Sequence, residues 1–298
     1  MPISRALYVG QYVSILTNSG QCTMYLPVSS ASCEVTKPID SVSAFGHVNS
    51  LATAQTNLTT CKATIKAYLQ SGAPGYVTGG GGLITGISGV ASTGLSYLTG
   101  DAINGTQTVV TVFPNGFRMS GIISNIGVDM SLGSFGTIDF SFDGLGQPHF
   151  DAAPSSSASN EQARMPSSIT PVTTVNVGGS VTGAGCATSF KFSLDLPTEN
   201  LACLGSNPDE IQSDAQNSLI ATKPPYKSTI SVEGFGVDVS DAATDLNAAI
   251  TGVYKLGNLG IRLPNPKVSS KSFNNAVGNA GATYNYSTED VGAIFVAN

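Results

Sequence analysis

Apolar and polar residues alternate along much of this chain, and the alternation predicts strands with one buried face. Ala6–Thr17 is the first such run, and Asn18–Gly20 reads as the turn behind it. Cys22–Val28, Ser32–Lys37 and Cys61–Leu69 follow, the last with Lys62 and Thr64 interrupting any helical stripe. Thr106–Phe113, Phe117–Ile123 and Phe135–Phe142 complete a first set of strands. Strand-like runs resume at Thr173–Val177, Phe190–Leu196, Gly281–Ser287 and Val291–Val296. One segment has helical spacing instead. Ser240–Tyr254 can be capped by Ser240, with Asp241 complementing the helix dipole and Leu246, Ile250 and Val253 forming a buried stripe. Leu83–Leu98, rich in Gly and Ser, is a weaker helix candidate that follows the flexible run Gly79–Gly82. Between the two sets, residues 151–168 are rich in Ala, Ser and Pro and read as a linker. The chain thus divides into 1–165 and 166–298, close to the length prior of ~150 residues per domain.

The two parts match in order. Ser30–Gly46 aligns without gaps on Ser189–Gly205 at an offset of 159, bringing Pro38 onto Pro197, Asp40 onto Glu199 and Gly46 onto Gly205. Lys62–Ile65 matches Lys227–Ile230 at an offset of 165, the difference being absorbed by a longer loop at Ser206–Pro225. Gly136–Gly146 matches Ala282–Gly292 at an offset of 146, and the weaker helix candidate corresponds in place to the clearer one. The expectation is two copies of one small β-rich domain, each with one flanking α-helix. An oligomer of such a chain gains pseudo-symmetry of twice its subunit number.

Composition changes the picture mainly through charge. Charged residues are only 11% of the chain, against roughly 25% in an average soluble domain, while hydrophobic residues reach 41%. Interface cores are depleted in charge, so such a surface suits coverage by other subunits. The net charge of −6 opposes binding to nucleic acid through phosphate neutralisation. No basic segment followed by an apolar run opens the chain, and no apolar stretch reaches 18 residues. Neither a leader nor a membrane span is therefore expected.

Little in the sequence points to catalysis. His47 and His149 are the two histidines, both beside Gly or Pro in turn-like stretches, and no Gly-x-Ser-x-Gly elbow accompanies them. Gly79–Gly82 lacks the Lys-Ser/Thr of a phosphate loop, and Gly178-Gly179 reads as a turn without the helix of a dinucleotide fingerprint. Asp139–Gly144 lacks the spacing of a calcium loop, although the matching block holds Asn285, Glu289 and Asp290. The cysteines (Cys22, Cys33, Cys61, Cys186 and Cys203) have no CxxC spacing and read as buried thiols, with a Cys33–Cys61 bridge as the alternative. No enzyme activity, cofactor or metal is expected.

The N-terminal strand pair entering Glu34–Gly46, the alternating strand Lys62–Leu69, one central helix and a closing strand ending Ser141–Gly146 together resemble the tail tube (major tail) proteins of tailed bacteriophages. The resemblance covers the chain in pattern; the second half departs from it at Leu204-Gly205, where the first has Phe45-Gly46. It implies two tandem tail-tube-like β-sandwich or β-barrel domains whose sheets join into the inner wall of a ring. Rings of three such chains, pseudo-sixfold, or of six would stack into a conduit for DNA, which passes without specific binding. Glu34, Asp40, Asp139 and Asp143 are the candidate acidic side chains of the lumen, and the loops Gly46–Thr60 and Gly205–Pro225 the candidates for stacking. The implied partners are further copies of the chain and other phage tail proteins (terminator, baseplate or tip, tape measure, and a sheath where the tail contracts). The implied location is the virion tail, assembled in the host cytoplasm, away from membranes. Competing readings are a carbohydrate-binding or adhesive β-sandwich and a decoration or tail-terminator protein. The absence of Trp and the low aromatic content of 7% weigh against the glycan reading.

Overall fold

Most of the described residues lie in antiparallel strands. The computed structural model describes residues 11–17, 23–43, 45, 52–55, 58–68, 77–79, 82–84, 102–113, 116–150, 171–172, 176–179, 186–201, 220–235, 252–256, 259–263, 267–276, 279–288 and 294–297. In chain order the strands begin with β1 (Tyr12–Thr17), β2 (Thr23–Thr36), β3 (Ile39–Val42), β4 (Ala52–Gln55), β5 (Thr60–Tyr68), β6 (Val77–Gly79) and β7 (Gly82–Ile84). Next come β8 (Thr108–Phe113), β9 (Phe117–Ser131), β10 (Thr137–Leu145), β11 (His149–Phe150), β12 (Asn176–Gly179), β13 (Cys186–Asp195) and β14 (Thr198–Asn200). The rest are β15 (Ile220–Thr222), β16 (Lys227–Phe235), β17 (Gly252–Leu256), β18 (Leu259–Leu263), β19 (Lys267–Ala276), β20 (Asn279–Thr288) and β21 (Ile294–Ala297).

Two long strands organise the first half. Residues 23–27 of β2 pair with β1, and residues 28–36 pair with β5 beyond a bulge between Val28 and Ser30. A bulge adds a residue and bends the strand, so β2 can serve two sheets. Strand β9 does the same. Its residues 118–121 pair with β8 and residues 122–129 with β10. The circuit β9-β10-β5-β2-β1-β8 closes on itself as a six-stranded barrel. At Gly121 strand β9 passes close to another backbone: a Cβ there would come inside contact distance of the Asp143 carbonyl.

Past β9 the sheet continues. Residues 125–131 pair on their other edge with β13, and β16, β20 and β19 follow in that order. The long sheet therefore reads β2-β5-β10-β9-β13-β16-β20-β19, the same connection pattern twice. The pattern repeats outside it too: β1-β8-β9-β11 has the order of the separate sheet β12-β17-β18-β21. The β3–β4 pair lies in the chain between β2 and β5, as the β14–β15 pair lies between β13 and β16.

Registers agree as well. Lys66 faces Asp139 and Ile65 faces Phe140; Ser231 faces Asn285 and Ile230 faces Tyr286, at the expected offsets of 165 and 146. The first block needs a correction. Glu34 faces Lys62, whereas the residue facing Lys227 is Asp195, which sets the offset at 161 instead of 159. A shift of two leaves every side chain on its own face, because the strand period is two.

The alternation buries one continuous core. Ile65, Ala67, Phe140, Phe142, Ile126 and Val128 pack in one cluster with Phe190, Phe192, Ile230, Val232, Tyr284 and Tyr286 of the later strands. Burying such side chains contributes roughly 1.5–3 kcal/mol each relative to leaving them exposed. Strand β8 is buried on both sides, which suits its run Thr-Val-Val-Thr-Val-Phe.

Some expectations change. Gly252–Leu256 is strand, so the last residues expected in the helix Ser240–Tyr254 pair with β12 and β18. Val253 and Tyr254 suit an extended backbone at least as well as a helix. Strand β7 likewise takes the start of Leu83–Leu98, and the remainder of both candidates lies outside the described residues. The described helical residues are Ala102 and Ile103 alone, a single turn. Gly178 and Gly179 belong to strand β12, and His149 to strand β11, where turns were expected. Cys33 and Cys61 are both free thiols. In the β2–β5 ladder Cys33 faces Ala63 and Cys61 faces Val35, so the two are not opposite one another. The linker at 151–168, His47, Cys22, Cys203, Glu289 and Asp290 lie outside the described residues.

Candidate functional site

The long sheet turns one face to the core and the other away from it, and the second face is an extended polar surface. Strand β5 alternates with Cys61, Ala63, Ile65 and Ala67 buried, and Lys62, Thr64 and Lys66 outward. Strand β10 does the same, with Asp139, Ser141 and Asp143 outward between Ile138, Phe140 and Phe142. The registers carry this face across every strand: Ser30, Ser32, Glu34 and Thr36 on β2, and Asn125, Gly127, Asp129 and Ser131 on β9. Beyond the middle it continues as Lys191, Ser193 and Asp195, then Lys227, Thr229, Ser231 and Glu233. Thr283, Asn285 and Ser287 face Ser272, Ser270 and Lys267 at the far edge. Short hydroxyl and amide side chains dominate it.

Its charges cancel locally. Lys62 stands between Glu34 and Asp143, Lys66 beside Asp139 (3.9 Å), Lys191 beside Asp129 (3.6 Å) and Lys227 opposite Asp195. Of the four acidic residues expected to act together, Glu34, Asp139 and Asp143 do share this face. Asp40 does not: it is on β3, where its Oδ1 accepts a hydrogen bond from the Ser41 amide at 2.8 Å. The sequence could not show that every acid on the face except Glu233, which faces Ser189 and Thr283, has a lysine across the ladder, because register decides that. Partial burial raises the Asp139 pKa from its ordinary value; Lys66 lowers it, and Asp129 adds to the rise. Asn285, at the matching place in the later strands, avoids that cost and donates to Ser270 Oγ at 2.9 Å.

The middle seam of the face, between β9 and β13, is locked by side chains. Asn125 Nδ2 donates to Asp195 Oδ1 and, at 3.1 Å, to Ser193 Oγ. Below these, the Leu196 amide donates to the Ser124 carbonyl at 2.9 Å, and the Leu132 amide to the Thr188 carbonyl at 2.8 Å. The β14–β15 arm folds back on the first half: Thr198 Oγ1 donates to Asp143 Oδ2 at 2.7 Å, and Ile220 packs with Ile122 and Leu145. An open polar recess of about 310 Å³ lies there, lined by Glu34, Thr60, Lys62, Asp143, Thr198 and Asn200. Its chemistry is that of a hydrated hydrogen-bonding surface. Among the described residues no three His, Cys, Asp or Glu side chains converge as metal ligands would.

Apolar side chains stand exposed away from this face. Ile39 and Val42 of β3 are about 60% exposed, with Phe45 beyond them fully so, and Phe273 of β19 is about half exposed. No described helix is long and apolar enough to cross a membrane. The expected stacking loops contain strands β4 and β15, while residues 46–51 and 202–219 lie outside the described residues. Comparison with the models of known protein families finds no match for the chain, and comparison with curated proteins finds no similar sequence.

Proposed function

We propose that this chain is a structural virion protein, a duplicated tail-tube-type subunit whose sheets line the inside of stacked rings that conduct DNA. The observation that carries the reading is the strand order β2-β5-β10-β9 followed edge to edge by β13-β16-β20-β19. A tandem duplication of one β-sandwich or barrel domain accounts for that order, for the matching outer sheets and for the shared registers. A sheet built of one unit repeated side by side can be extended by a third unit in the same way. Closing such a sheet into a ring removes the open edges that otherwise invite aggregation.

The face described above suits a conduit. Its lysines are balanced by carboxylates, so it offers no strong positive potential to hold phosphates. Its hydroxyl and amide groups keep it hydrated. We infer a near-neutral, hydroxyl-rich lumen, with Glu34, Asp139 and Asp143 on its wall and Asp40 away from it, in place of a strongly acidic one. The exposed Ile39, Val42 and Phe45 on the β3–β4 arm supply apolar surface for contact with other subunits. Other tail proteins would be met at the two ends of the stack.

Negative-stain electron microscopy of the purified full chain tests the reading. Rings or hollow tubes with a pseudo-sixfold, threefold-exact projection are expected. A dispersed monomer at high concentration would overturn it, and glycan binding by that monomer would favour the adhesive alternative.

A further inference from the structure

The seam between β9 and β13 defines a specific joint, and the two outer edges of the same sheet are its unjoined halves. By strand order β19 corresponds to β9, and β2 to β13. The correspondence is residue by residue. Asp129 and Gly127 face Thr137 and Asp139, and Ser272 and Ser270 face Thr283 and Asn285. Likewise Lys191, Ser193 and Asp195 correspond to Ser30, Ser32 and Glu34 through their partners on β16 and β5.

Exposure marks the same two edges as incomplete. At the internal seam Met130 and Leu196 are no more than 2% exposed; their counterparts Phe273 and Val35 are 48% and 38% exposed. The edge of β2 at residues 30–36 has no ladder partner other than β5 among the described residues, and β19 has none other than β20. Charge is complementary too, since Lys267 takes the place of Asn125 and Glu34 the place of Asp195.

Resting on the ring reading above, we propose that β19 of one copy pairs antiparallel with β2 of the next in the register that β9 uses on β13. Ser270 then stands opposite Ser32, Ser272 opposite Ser30 and Lys267 opposite Glu34 of the neighbouring copy. The bulge between Val268 and Ser270 falls inside the joint, so that Ser269 is the extra residue there. The occupant of both edges is a second copy of this chain, because the joint reproduces one that the chain already makes with itself.

Paired cysteines test the register in the full-length protein. Ser32→Cys with Ser270→Cys, and Ser30→Cys with Ser272→Cys, are in register. Ser30→Cys with Ser270→Cys is displaced by two residues, leaving Cα atoms about 8 Å apart, beyond disulfide reach. Mild oxidation followed by non-reducing electrophoresis should give covalent multimers from both in-register pairs, at least tenfold above the displaced pair and the parent protein. Equal yields, or a dominant displaced pair, in a protein that still forms rings would overturn the register and leave the tube reading standing. A protein that neither assembles nor cross-links would sink both.

Discussion

Phe192 tests whether the middle seam is a true core. It is 3% exposed on β13, faces Val128 across the seam and Ile230 on its other side, and belongs to the cluster that runs through both halves. Truncating a buried Phe to Ala costs about 3–5 kcal/mol, the lost transfer energy plus the cavity left behind. At 1.4 kcal/mol per tenfold, Phe192→Ala should raise the unfolding constant by roughly a hundred- to a few-thousand-fold. Because the cluster is continuous, the loss should reach strands on both sides of the seam. Hydrogen exchange of the dispersed chain reads this directly, since globally protected amides exchange with the unfolding free energy. Amides of β5 and β10 should lose protection together with those of β16 and β20. If β16 and β20 exchange faster while β5 and β10 keep full protection, the halves unfold independently, and the claim of a shared core fails.

Two other perturbations are informative. Gly121→Ala places a Cβ against the Asp143 backbone, which has no flexible end to move aside, so a loss of about 1–3 kcal/mol is expected by chemical denaturation. Gly127→Ala is the control, because its nearest neighbour, Asp139 Cβ, lies at an ordinary 3.5 Å; equal losses at both positions would refute the close-approach argument. Desolvation raises the Cys33 thiol from 9.0 to about 11, so its folded pKa lies above its unfolded one. The associated stabilisation is therefore complete below about pH 9 and disappears as pH climbs towards 11. At pH 8 the thiolate fraction, and with it alkylation of Cys33 in the native chain, should be about 100-fold below that of the unfolded chain. Mass spectrometry of iodoacetamide-treated protein checks this, and equal native and unfolded rates would contradict it.

Periodicity revealed the strands whose inner faces are strongly apolar. Cys61–Leu69 and Phe135–Phe142 alternate between apolar and polar residues, and both were legible, as β5 (Thr60–Tyr68) and β10 (Thr137–Leu145). Strand β19, Lys-Val-Ser-Ser-Lys-Ser-Phe-Asn-Asn-Ala, was not, because an edge strand with few apolar residues carries almost no periodic signal. The second half of β9 escaped notice because Ser124 and Gly127 interrupt its pattern at the bulge and at the seam. Matching blocks located β2, β5 and β10 on β13, β16 and β20, but gap-free alignment could not see the two-residue slip that the ladder imposes on the first block. The polar face was legible only as isolated acids. Which lysine stands across from Glu34 or Asp139 depends on register, a long-range property that short sequence windows do not contain.

The two halves present different side chains on the polar face. Where the first presents Lys66 against Asp139, the second presents Ser231 against Asn285. A chain with one unit would have to use a single residue at every equivalent place around an annulus. In the proposed ring of duplicated chains, ionic and uncharged sectors would alternate, and mutation could tune one set without touching the other. In the tube proposed above, a polymer threading the bore would meet a rotating texture of fixed dipoles and ion pairs, repeating with each chain instead of each unit.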